Sequence, residues 1–180
     1  MRARVRPAVL LAVVALVATA AAALAADPSP SPVANPVGKW DDYEMIMQVD
    51  VPLRGTLRHV YVDRVSAAEA RRTGKLPNGT RIVMRDYVGE ADGQGGWKTE
   101  NHRLVAGKPV LVLIQQKQAG WGGTHPEAIR NGEWEYGLFT PDGKPIPVNT
   151  EQACMPCHKR YETTDFTLIV HDYFADLAGK

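Results

Sequence analysis

The two cysteines of this 180-residue chain stand two residues apart and are followed at once by a histidine, Cys154-Met155-Pro156-Cys157-His158. No other feature constrains the fold as much, because a C-x-x-C-H run is the attachment motif of c-type haem. Each thiol adds to one vinyl group of the porphyrin, and the two-residue gap lets both sulfurs reach the same edge of the ring. The next imidazole then falls under the iron as its proximal ligand. Cys154 and Cys157 are therefore read as the covalent haem anchors, and His158 as both haem contact and proximal iron ligand. One haem c is the expected cofactor.

Two other chemistries use the same spacing. A redox C-x-x-C sits at the start of a helix, after a strand near the front of a βαβ unit, whereas this one lies close to the C-terminal end. A structural zinc site needs four ligands, and no second cysteine pair supplies them. A tetrahedral set of Cys154, Cys157, His158 and a distant histidine remains, so an exported zinc-binding or structural β domain is the non-haem alternative. No P-loop, dinucleotide fingerprint or H-E-x-x-H occurs.

The N-terminus agrees with haem attachment outside the cytoplasm. Arg2, Arg4 and Arg6 form a positive n-region, and residues 8–26 are apolar apart from Thr19. The stretch ends in Ala23-Leu24-Ala25, an A-x-A cleavage site. Residues 1–25 are read as a cleaved signal peptide and the location as periplasmic, with an uncleaved membrane anchor as the alternative. Three of the 21 basic residues belong to this leader, so the remainder is slightly acidic against its 20 carboxylates. That balance points to no nucleic-acid partner. Residues 26–38, rich in proline and serine, read as an extended linker without a core of their own, and residues 39–180 as one domain.

Within that domain strand and turn signals alternate. Asp41 to Met47 reads as a short helix and Leu57 to Asp63 as a strand. Ser66 to Thr73 is a helix stopped by Gly74. Pro77-Asn78-Gly79 is a turn, and Thr80 to Val88 a strand with Ile82 and Met84 on one face and Arg81 and Arg85 on the other. Trp97 to Val105 is a weaker strand. Val110 to Gln116, apolar on both faces, reads as an interior strand. Glu133 to Thr140 alternates, with Trp134, Tyr136 and Leu138 inward and Glu133 and Glu135 outward. Glu151 to Tyr161 carries the motif on a helix starting near Thr150, and Phe166 to Val170 reads as a last strand. The expected class is mainly β (α+β): an antiparallel β-sandwich-like domain with a few short helices and the haem motif near the C-terminus.

In that order, the Tyr61-Val62-Asp63 strand before an alanine-rich helix, the Pro77-Asn78-Gly79-Thr80-Arg81-Ile82-Val83 turn and strand, the Gly132-Glu133-Trp134-Glu135-Tyr136 strand and the late motif followed by Asp165-Phe166-Thr167 resemble the cytochrome P-460 family, which includes the β-type cytochromes c′. The resemblance spans Trp40 to Val170. It implies a monohaem protein, often a homodimer, in which one sheet covers the distal face of the haem. Members called P-460 proper carry a lysine cross-linked to the haem and oxidise hydroxylamine. The β-type cytochromes c′ bind nitric oxide or another diatomic gas behind an apolar distal wall. Here the lysine position is matched by Met84, and the strand that would supply a distal carboxylate, Val110 to Gln116, has none. The resemblance thus implies electron transfer, to an unidentified redox partner, or diatomic gas binding. A haem oxidoreductase acting on hydroxylamine or nitric oxide is the alternative.

The sixth iron ligand separates these outcomes, since a filled position favours electron transfer and an open one admits ligands. Met84 is the candidate distal ligand, ahead of Met45 and Met47; its bland role is that of a core filler. Among the histidines, His59 reads as a hydrogen-bonded core residue and His125, in a glycine-rich loop, as exposed. Gln115 and Gln116 are placed to reach the distal rim, Lys117 reads as a solvated strand end, and Trp121, Trp134 and Phe139 are candidate pocket walls.

Overall fold

The computed structural model describes residues 31–35 and 40–179. The expected leader lies outside the described residues, as does the expected linker except for residues 31–35. Five strands, β1 (Tyr43–Val51), β2 (Thr56–Asp63), β3 (Arg81–Gly89), β6 (Ala106–Lys117) and β7 (Trp134–Phe139), form one antiparallel sheet in the order β1-β2-β3-β6-β7. Between β3 and β6 a small hairpin, β4 (Thr99–Glu100) and β5 (Arg103–Leu104), stands apart from the sheet. It replaces the weaker strand expected over Trp97 to Val105, because Asn101 and His102 take φ of 49° and 64° and fold the segment into a tight turn.

Helix α1 (Arg64–Thr73) follows β2 directly. Asp63 caps it, its Oδ1 accepting from the Ser66 amide at 2.8 Å. The other oxygen of Asp63 accepts from the Arg81 amide at 2.8 Å, so one carboxylate fixes both the helix start and the entry of β3. Three further short helices follow the sheet: α2 (Thr150–Ala153), α3 (Met155–His158) and α4 (Val170–Ala178).

The period-two pattern sorts side chains onto two faces. Cross-strand register lines up Val62, Ile82, Gln115 and Tyr136 in one transverse row of the inner face. Val60, Met84, Leu113 and Leu138 form the next row, and Arg58, Asp86 and Leu111 the one after. Ala67 and Ala70 of α1, Val170 and Phe174 of α4, and Met155 of α3 close over the first row. Phe174 is fully buried, and withdrawing such a ring from water contributes about 1.5–3 kcal/mol. The outer face carries a second cluster of Tyr43, Val83, Val112, Ile114 and Phe139, onto which Val33 packs. The class is the expected one, mainly β and α+β, with helices as the layer against the inner face.

Three expectations are corrected. Asp41 to Met47 is no helix: a short 3₁₀ turn at Trp40–Asp42 leads into β1, whose residues gain a full antiparallel partner in β2. The helix expected over Glu151 to Tyr161 is broken. Pro156, which lacks an amide hydrogen, sits in the first turn of α3, and Lys159–Thr164 continues as 3₁₀. Phe166 to Val170 forms no strand; Asp165, Phe166 and Leu168 have positive φ (51°, 59° and 56°), and Val170 opens α4.

Candidate functional site

The motif is delivered to the inner face by α2 and α3. Asn149 starts α2, its side chain accepting from the Gln152 amide at 3.2 Å. Cys154, half-buried, lies at the junction of the two helices, and Cys157 is exposed on α3; both are free thiols. Burial, and then the neighbouring Cys157, pushes the Cys154 thiol above its ordinary value.

His158 ends α3 with its ring 4.7 Å from that of Tyr136, tilted by 51°. Its Nδ1 lies 2.7 Å from the carbonyl oxygen of Phe166. A carbonyl only accepts, so Nδ1 carries the hydrogen and Nε2 keeps its lone pair. Burial lowers the proton affinity of this imidazole, and the bond to Phe166 only partly opposes that. The side chain is thus set in the neutral tautomer with one nitrogen available, the form in which histidine binds a metal.

The Phe166 carbonyl is itself held. Gln115 Nε2 donates to it at 2.9 Å, so both lone pairs are in use. The left-handed backbone at Asp165 and Phe166 disfavours non-glycine residues by roughly 1–2 kcal/mol each. The Asp165 carboxylate accepts from Lys117 Nζ at 2.7 Å and from Trp134 Nε1 at 3.3 Å, which offsets that strain. Gln115 and Lys117 therefore do not occupy the places expected of them. Gln115 turns to the Phe166 backbone rather than to the distal rim expected of it, because its row lies under the 165–166 kink. Lys117 is mostly buried, with a second acceptor in the Leu76 carbonyl at 3.1 Å. Gln116 accepts from Arg81 at 3.0 Å.

Asn131, fully buried, was not singled out by its sequence context. Its Nδ2 donates to the Tyr136 hydroxyl at 2.8 Å and to the Met155 carbonyl at 3.2 Å, tying the motif to the strand beneath it. Tyr136 holds its proton well above the ordinary phenol range, chiefly through burial.

Met84 lies on the same face as Tyr136, one row further along and two strand spacings (about 10 Å) across. It is half-buried, and its sulfur is 3.7 Å from Arg58 Nη1. Arg58 grips Asp86 with two bonds of 2.6 and 2.8 Å, a bidentate pair. A cavity of about 360 Å³ opens beside it, lined by Val49, Arg58, Asp86, Tyr87 and Val110 among others. A carboxylate is therefore present on this face, on β3 rather than on the strand where it was sought. No local signal announces it, because Arg58 and Asp86 meet only through the β2–β3 register.

The remaining candidates disperse. His59 lies on the outer face, hydrogen-bonded to Gln48 at 3.1 Å and Tyr61 at 3.3 Å, as a core histidine would be. Trp121 and Phe139 belong to the outer cluster, while Trp134 packs with Tyr136. Met45 is half exposed, and Met47 packs at the margin of the inner core. His125 is not exposed: it is enclosed between Glu135 and Glu151, with Nδ1 2.8 Å from Glu151 Oε1 and Nε2 in contact with Glu135. Among the described residues no three or more His, Cys, Asp or Glu side chains gather to hold a metal ion, and no helix is long and apolar enough to cross a membrane.

Residues 38–169 match the family model described as Cytochrome P460. No curated protein matches the chain.

Proposed function

The chain belongs to the cytochrome P460 family, and from that premise we propose that it is an exported monohaem c-type cytochrome that transfers electrons, binds a diatomic gas such as nitric oxide, or does both. Cys154 and Cys157 would hold the haem by thioether bonds, and His158 Nε2 would ligate its iron. The observation that carries this reading is the state of His158: Nδ1 is committed to the Phe166 carbonyl and the ring is kept neutral, beside two free thiols. The donor set also fits in chemistry, since thiols add across vinyl groups without a change of oxidation state. Bound there, haem c supplies one-electron chemistry and a site for a small ligand. The chain's own part is to orient His158 through Phe166, to wall the site with Tyr136, Leu113 and Leu138, and to present Met84 from the sheet. The same reading gives a periplasmic location, a homodimer and a separate redox protein as partner.

The test is the visible spectrum of the purified protein, oxidised and reduced, followed by nitric oxide. A c-type haem spectrum supports the reading, and a colourless protein from a host that matures c-type haem overturns it. A low-spin form that resists the gas and becomes high-spin in Met84→Ala identifies Met84 as the distal ligand and the protein as a carrier. A high-spin form that takes up the gas identifies a gas-binding cytochrome.

The Arg58–Asp86 pair favours a second reading, a haem oxidoreductase acting on hydroxylamine or nitric oxide. Asp86 would accept a proton from a substrate that Arg58 orients. Turnover of hydroxylamine that is lost in Asp86→Asn at unchanged haem content supports it; no turnover by the parent protein rules it out for that substrate.

A further inference from the structure

A buried glutamine needs partners for its amide, and most of the inner face offers none. Gln115 is 2% exposed and is flanked in its row by Ile82 and Tyr136. Its Nε2 spans 51 residues of sequence to reach one atom, the Phe166 carbonyl oxygen at 2.9 Å. That same oxygen receives the Nδ1 hydrogen of His158 at 2.7 Å. We propose that Gln115 is a positioning residue that sets the hydrogen bond of the proximal histidine and, through it, the reduction potential of the iron. This rests on the haem reading given above.

Two donors on one carbonyl compete for its electron density. With the Gln115 amide in place, the oxygen is a poorer acceptor for the imidazole hydrogen, and the histidine keeps less anionic character. Groups around the first ligands of a metal act on it in this way. The carbonyl does not depend on Gln115 alone for its position. Lys117 and Trp134 grip the preceding Asp165 carboxylate, and α4 begins four residues after Phe166. Removing the amide therefore leaves the carbonyl in place with a free lone pair. It then draws the His158 hydrogen more strongly, and the more electron-rich imidazole favours ferric iron.

The experiment compares the full-length haem-loaded protein with Gln115→Met, which keeps an unbranched side chain of similar length without a donor. Against a redox dye of fixed potential, the ferric-to-ferrous ratio is expected to rise about fivefold, the range of one net hydrogen bond. The His158 Nδ1 proton signal of a diamagnetic ferrous form is expected to move downfield. Gln116→Met, one residue along and bonded to Arg81, is expected to change neither. An unchanged ratio in Gln115→Met, or an equal change in Gln116→Met, overturns the proposal. If the variant does not fold, nitrogen–carbonyl couplings across the two hydrogen bonds in the parent protein decide: both couplings to Phe166 support it, and a missing Gln115 coupling overturns it. Failure of the haem reading looks different, because the parent protein itself would carry no covalent haem.

Discussion

Asn131→Leu removes the polar clamp between the motif and the sheet while keeping the branched skeleton of the side chain. Three terms set the size of the effect. The Tyr136 hydroxyl, buried with its strand, loses its donor, and stranding such a group costs roughly 1–3 kcal/mol. The Met155 carbonyl loses one partner but keeps the Lys159 amide, so its share is about 0.5 kcal/mol. In the other direction, the Asn131 Oδ1 is buried without a hydrogen-bond partner, and removing it returns about 1 kcal/mol. The net expectation is a loss of about 1.5 kcal/mol. For a domain of this size that lowers Tm by about 3–6 °C. Urea unfolding of the parent and variant proteins, followed by tryptophan fluorescence, measures it. A loss below about 0.5 kcal/mol, the scale of an indifferent surface change, would refute the clamp.

Other outcomes can be checked alongside. Burial lowers the proton affinity of His125, but the hydrogen bonds to Glu135 and then Glu151 outweigh it, so its folded pKa stands above 6.5. Stabilisation of that sign is complete below the unfolded pKa and lost as pH rises through the folded one. The stability gap between parent and His125→Gln should thus be widest near pH 5.5 and close toward pH 9; a gap that widens with pH contradicts the clasp. Gly132→Ala should destabilise by about 1–2 kcal/mol in urea unfolding, since Gly132 has φ 57° and an added Cβ would lie 3.1 Å from the Phe166 ring. Cys157→Ala should retain haem through a single thioether, detected as a red-shifted band of the reduced pyridine adduct. An unshifted band, showing both thioethers still present, would contradict its role as an anchor.

The parts of the fold that were legible in the sequence are those where one residue's neighbours decide its state. Ile82 and Met84 alternate against Arg81 and Val83, and Trp134 and Tyr136 against Glu133 and Glu135, so β3 and β7 show their period in single strands. The Gly74 stop and the helix before it are likewise local. The C-x-x-C-H run stands out in the sequence because its pattern lies in adjacent positions, where covalent haem attachment would require it. What escaped depends on distant partners. Tyr43 to Met47 becomes a strand because β2 is there to pair with it. Phe166 to Val170 has strand-like residues, but its backbone turns left-handed at Phe166 and Leu168 and its first carbonyl is taken by His158 and Gln115. Glu135, read as outward, is buried because the loop bearing His125 folds over it. Arg58–Asp86 and Gln115–Phe166, 28 and 51 residues apart, can be read only once the register is known.

The sheet's meander also orders events in time. Each strand pairs with the one before it in the sheet order, so the antiparallel framework can be assembled through short loop closures as the chain extends, without waiting for anything downstream. The cysteines come after all five strands. On the haem reading, a maturation apparatus would meet thiols that trail a framework already able to pair its strands, whereas a protein with its motif at the front offers thiols before any framework exists. Gln115 finds its carbonyl only when the segment beyond the motif has folded back, so His158 is held in place after the sheet is made.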